Sequence, residues 1–199
     1  SMTYPYRSIC VFCGSADGLA PEYYAAAYET GRLLAEKDIT LVYGAGRTGM
    51  MGALAEGALT AGGRVIGIVP NGLESPQLIY TTGLTQLEVV PDIQVRKARM
   101  NALADAFICL PGGFGTLDEM FEVLTWSQIG RHRKPCAFLN TAGYFDPLFA
   151  WFERAYQDHF IYEEHLDLYV SDADPAHLLE KLAAFQFPAN IERWLVREE

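Results

Sequence analysis

Basic side chains are scarce in this chain. Its 199 residues carry 15 Lys and Arg against 25 Asp and Glu, a formal net charge of −10. A nucleic-acid partner needs a basic face to meet its phosphates, so this balance argues against general nucleic-acid binding. It leaves room for a small anion in a local basic pocket. Long apolar runs are also missing, and none approaches the ~18 residues that span a bilayer. No charged-then-apolar signal segment opens the sequence, and Ser1 ahead of Met2 reads as a cloning scar. The expectation is a soluble cytoplasmic protein with no membrane partner. Cysteines number four. Cys10 and Cys13 form a C-x-x-C, but Cys109 and Cys136 are single and distant, so the second close pair of a zinc site is lacking. Cys10-Val-Phe-Cys13 lies in an apolar strand, where positions i and i+3 face opposite sides, and both read as core. The four histidines, His132, His159, His165 and His177, show no metal spacing, and no Ser or Cys sits in a nucleophile elbow. No metal and no cofactor is expected.

What the chain does have is regular alternation. Continuous apolar runs at Ser8–Ser15, Ile39–Tyr43, Arg64–Val69, Gln86–Val90, Ala106–Leu110 and Pro135–Leu139 read as strands, with a seventh at Leu168–Val170. Between them, Pro21–Lys37, Thr48–Thr60, Ile93–Leu103, Thr116–Ile129, Phe145–His159 and Pro175–Phe185 carry the helical period. Asp92 and Asp174 suit the N-cap positions of two of these helices. Buried strands alternating with helices predict an α/β fold, a parallel sheet of six to seven strands covered on both faces. No linker divides the chain, so one domain is expected over residues 1–199, with 186–199 as a C-terminal tail. Residues 71–85 are the least regular part and read as a surface loop, a short helical excursion or a lid.

Three strand ends carry small residues: Gly14-Ser15, Gly44-Ala-Gly-Arg-Thr-Gly49 and Pro111-Gly-Gly-Phe-Gly-Thr116. Ligands of open parallel sheets bind at the C-terminal strand ends, so Ser15, Gly44, Gly46, Gly49, Gly112, Gly113, Phe114, Gly115 and Thr116 should share one crevice. The last of these turns opens a helix, whose free N–H groups and dipole favour an anion. Asp118, Glu119 and Glu122 follow it and put carboxylates beside the cradle. Residues 44–49 match G-x-G-x-x-G, but on the second strand and without the ribose-binding acid of a dinucleotide site. Part of a mononucleotide site and a tight packing turn remain the alternatives there. Thr116-Leu-Asp-Glu119 also fits a capping box, with Thr116 as N-cap and Glu119 reaching back. A carboxylate near a helix N-terminus should stay ionised. Arg96, Lys97 and Arg99 crowd the start of another helix, against its dipole, and call for a counter-ion: either nearby Asp and Glu or an anionic ligand.

Several segments then occur in a specific order and spacing: Phe12-Cys-Gly-Ser15, Val42-Tyr-Gly-Ala-Gly46, Gly49-Met-Met-Gly52, Arg96-Lys97-x-x-Met100, Asp105-Ala-Phe107, Pro111-Gly-Gly-x-Gly-Thr-x-x-Glu119, Trp126 and Lys134-Pro135. Together they resemble the LOG ("Lonely guy") family, long labelled possible lysine decarboxylase, over about residues 8–160. The resemblance implies a Rossmann-like fold and a homodimer or higher homo-oligomer. It implies a phosphoribohydrolase, an N-glycosidase that frees the base and ribose 5-phosphate from cytokinin riboside monophosphates or AMP. It also implies Arg96 and Glu119 as the catalytic pair, with Lys97, Gly113, Gly115 and Thr116 holding the nucleotide and Thr125 nearby. The chain departs from the family pattern at Ile93, Gln94 and Leu78, which bears on the base accepted. The alternative of another class is a non-catalytic nucleotide-binding module on the same fold.

Overall fold

The computed structural model describes residues 3–191, so Ser1, Met2 and residues 192–199 of the expected C-terminal tail lie outside the described residues. Seven strands form one sheet: β1 (Ser8–Phe12), β2 (Thr40–Tyr43), β3 (Val65–Pro70), β4 (Gln86–Val90), β5 (Ala106–Cys109), β6 (Cys136–Leu139) and β7 (Tyr169–Asp172). All the pairings are parallel, in the order β4-β3-β2-β1-β5-β6-β7. Among the described residues six α-helices accompany them: α1 (Pro21–Glu36), α2 (Gly49–Thr60), α3 (Ile93–Leu103), α4 (Phe114–Gln128), α5 (Asp146–Gln157) and α6 (Pro175–Ala183). The α/β parallel architecture read from the alternation is therefore present.

Two apolar layers sandwich the sheet. On one face Val11, Leu34, Leu41, Leu54, Ile108 and Leu179 pack under α1, α2 and α6. On the other, Phe12, Val42, Met100, Phe107, Met120 and Phe138 pack under α3, α4 and α5. Cys13 belongs to the first layer and Cys10 to the second, as strand alternation requires, and all four cysteines are buried and free. Phe138 seats α5, with ring centroids of Phe145, Phe149, Phe152 and Tyr169 at 5.0 to 6.2 Å. Each such pair is worth about 0.5–1.5 kcal/mol beyond the area it buries.

A parallel crossover normally uses a helix. The β3–β4 crossover does not. Residues 71–85 stay irregular, and Tyr80 and Leu84 fill the layer where a helix would lie. The segment is strapped to the β2–α2 turn: Arg47 N–H donates to Leu78 O (2.9 Å) and Tyr80 N–H to Ala45 O (2.9 Å).

β1 and β5 are neighbours at the sheet centre, yet α1 and α4 leave for opposite faces. The backbone therefore parts at their C-terminal ends and leaves a crevice, the switch point where such sheets bind ligands.

Candidate active site

The crevice is a cleft of about 680 Å³. Its floor is the β1 turn and the β5 turn held together, with Gly14 N–H donating to Pro111 O at 3.0 Å. A side chain at Gly14 would sit 3.2 Å from the Gly112 Cα, so the two turns touch backbone to backbone.

The β5 turn runs straight into α4, which begins at Phe114 with Gly113 as N-cap. Thr116 is therefore not the N-cap, and the capping box does not form. The helix starts two residues earlier because Phe114 and Gly115 already take helical geometry, and Leu117 N–H bonds back to Gly113 O (3.1 Å). Thr116 is instead buried against Gly112, where an added Cβ would meet its Oγ1 at 2.1 Å. Among the described residues no side chain caps α4. Its first N–H groups open on the cleft, whose wall includes Gly113, Gly115 and Thr116. Such a helix start can hold an anion.

Glu119 lies one turn further along, on the cleft wall. Burial raises its carboxyl from 4.5 to about 7; Arg96 pulls it down less than burial pushes it up, and Asp118 adds to the rise. The expectation of a fully ionised carboxylate is overturned. Glu119 sits beyond the first turn, where the dipole fades, and desolvation wins. Near neutrality the group is poised between its two protonation states.

The basic start of α3 divides in two. Lys97 Nζ lies 2.7 Å from Glu122 and 3.3 Å from Asp118, and Arg99 holds Glu88 at 2.8 and 2.9 Å. Both cations thus have protein counter-ions. Arg96 makes no salt bridge among the described residues: it faces the cleft near Glu119, whose carboxyl pKa it lowers, and its buried Nε has no hydrogen-bond partner.

Of the residues expected at the site, the structure brings Arg96, Glu119, Ser15, Gly112, Gly113, Gly115 and Thr116 to one cleft. It places the others elsewhere. Lys97 and Glu122 are paired with each other beside it. Phe114 stands 96 % exposed at the start of α4. Thr125 borders a separate apolar cavity with Phe121 and Trp151. Gly44 and Gly46 are buried behind Arg96 and Met51. Gly49 backs onto the Ser15–Ala16 main chain and gives its N–H to Asp17 Oδ1 (3.0 Å). No residue of 71–85 lines the cleft, so that segment is a strap and not a lid in this structure.

Sequence reasoning missed the aromatic wall. Tyr144, from the loop after β6, donates its hydroxyl to Gly112 O and so braces the glycine turn. Tyr23 of α1 meets it edge-on, with centroids 6.1 Å apart. Leu19, Met50 and Met51 continue this apolar side. Nothing local marks Tyr144, because its contact spans 32 positions.

Known proteins resemble this chain in sequence and in fold. A family profile described as "possible lysine decarboxylase" matches residues 51–182. A cytokinin riboside 5'-monophosphate phosphoribohydrolase of Rhodococcoides fascians is 46 % identical over 155 residues, 78 % of each chain. One from Arabidopsis thaliana is 40 % identical over 181 residues, 91 % of this chain and 83 % of that protein. Among solved structures, the molybdenum cofactor binding protein of Rippkaea orientalis superposes with a TM-score of 0.67 at 23 % identity, covering 92 % of this chain and 98 % of that one. That last likeness is one of fold. The sequence relatives go further, and this chain belongs to the LOG family, the group profiled as possible lysine decarboxylase that includes the cytokinin riboside 5'-monophosphate phosphoribohydrolases.

Proposed function

We propose that this protein is a nucleoside 5'-monophosphate phosphoribohydrolase, acting on cytokinin riboside monophosphates, AMP or both. One observation carries the reading. An uncapped helix N-terminus, a cation held in no salt bridge and a carboxyl poised near neutrality share one cleft. The names of the relatives point the same way.

The substrate's phosphate takes the N–H groups at the start of α4, and Arg96 supplies the cation that Lys97 and Arg99 cannot. That anchorage holds the ribose beside Glu119. As the C1'–N bond lengthens, positive charge builds on the ribose, and the ionised carboxylate stabilises it. The departing base keeps the bond pair, water adds to C1' and gives up a proton to Glu119, and Glu119 passes that proton to the base nitrogen, which restores the carboxylate. The products are free base and ribose 5-phosphate. The apolar wall of Leu19, Tyr23, Met50 and Met51 suits a planar base.

The working unit is a homodimer or higher homo-oligomer. Trp151 and Phe160 are 58 % and 82 % exposed, unusual for large apolar side chains. Among the described residues no helix is long and apolar enough to cross a membrane, and a cytoplasmic protein folded as one domain fits these features. Chromatography of reactions with AMP and with isopentenyladenosine monophosphate tests the activity. Absence of free base from both, at high enzyme and long times, sinks the reading, and nucleotide binding without turnover would favour a non-catalytic module. Light scattering tests the assembly, and a monomer at micromolar concentration refutes it.

A further inference from the structure

The β2–α2 turn looks like a second phosphate loop but holds no ligand position in the cleft. Its first glycine is nonetheless required by something. Gly44 does not adopt the left-handed backbone that favours glycine; its neighbour Ala45 does, at φ 66°. The turn therefore has a side chain where the backbone favours glycine, and a glycine where the backbone would accept any residue. What Gly44 provides is space. A Cβ there would lie 2.1 Å from an Arg96 terminal nitrogen, 3.1 Å from its Cζ and 2.8 Å from the Met51 methyl. Gly46 does the same for Met51, whose Sδ would stand 2.7 Å from an added Cβ.

We propose that Gly44 is a positioning residue, its missing side chain forming the slot that seats the Arg96 guanidinium at the cleft. The role rests on the phosphoribohydrolase reading. Arg96 comes from α3, which packs on β3, β1 and β2 on the same face as α4, and its Nε makes no hydrogen bond that could fix it. Shape holds it instead: the Gly44 main chain lies beneath it and Met51 beside it. A guanidinium displaced by about 1 Å costs a reaction on the order of 10²-fold.

The test is Gly44→Ala, alone and combined with Arg96→Ala, with Ala45→Gly as a control in the same turn. The expected result is a kcat for AMP on the order of 10²-fold lower in Gly44→Ala. Its melting temperature should also fall, and most of that fall should vanish in the Arg96→Ala background, where the slot is empty. Ala45→Gly leaves Arg96 its space and should keep the wild-type kcat. If Gly44→Ala alone fails to fold, folding of the double variant carries the same meaning. A wild-type kcat in Gly44→Ala overturns the proposal. So does an equal melting penalty with and without Arg96, a double variant that does not fold, or a matching kcat loss in Ala45→Gly. A wild-type protein inactive on both nucleotides removes the functional reading, while the melting comparison still decides whether the slot exists.

Discussion

Two strand–glycine–helix turns in this molecule share a sequence character and diverge in chemistry. At β2–α2, Gly49 N–H is taken by Asp17 Oδ1 and Met51 N–H by Gly14 O (3.2 Å), so the helix start is already satisfied. At β5–α4 no side chain caps the helix among the described residues, and Cβ atoms at Gly113 and Gly115 would meet nothing within 4 Å. The glycines of the first turn are crowded by protein atoms; Gly113 and Gly115, at the helix start of the second, face open space. A glycine-rich turn is thus an anion site only when its N–H groups have been left without internal partners.

The sharpest test of the β5–α4 side is Glu119→Gln. Turnover of AMP should drop about 10²–10⁴-fold while nucleotide affinity, measured by calorimetry, is retained. In the proposed reaction the ionised form is the working one, so wild-type kcat/KM should rise with pH through about 7. Stability runs the other way. A carboxyl raised from 4.5 to about 7 binds its proton more tightly folded than unfolded, so the fold loses stability as pH climbs across that window. Glu119→Gln should therefore melt higher than wild type at pH 8, by on the order of 2 kcal/mol, and lose that advantage near pH 4.5.

The comparison itself is broken or upheld by swapping alanine into each turn. Gly49 has φ 57° and its Cβ would lie 2.5 Å from Ala16 O, so Gly49→Ala should cost the free protein about 2 kcal/mol or more in denaturant melts. Gly115→Ala should do the reverse. Alanine inside a helix stabilises by about 0.5–1 kcal/mol, yet the methyl group obstructs the ligand, so KM for AMP should rise at least about tenfold. Equal stability effects at the two positions would erase the distinction. A smaller effect is expected from Tyr144→Phe, which removes the brace on Gly112 O. A lost hydrogen bond of this kind is worth about 1 kcal/mol, visible as a KM increase of roughly fivefold.

Much of this was legible in the sequence. Strand and helix order followed from apolar runs and period, and the Asp92 and Asp174 caps are made as their positions implied, to Val95 N–H and His177 N–H. The β5 turn and its carboxylate were legible as well. What escaped was set by distant partners. Lys97 and Arg99 are neutralised by Glu122 and Glu88, and no local pattern says which of three neighbouring cations is left over. Tyr144 reaches the site only because β6 lies beside β5. The capping box failed because a T-x-x-E pattern cannot reveal that two residues before it are already helical. Glu119 was misjudged because burial, invisible in one dimension, outweighs the dipole.

The open start of α4 has one more consequence, in the exchange of amide hydrogens. Peptide groups without internal acceptors swap their protons with solvent quickly, even in a rigid fold. The amides of Phe114, Gly115 and Thr116 should therefore label at once in heavy water, in a protein whose neighbouring strand β5 labels last. Filling the cleft with a nucleotide should slow these three, while Gly49 at the other turn, already bonded to Asp17, should hardly change. These unpartnered amides would thus be a built-in gauge of nucleotide binding, readable without turnover.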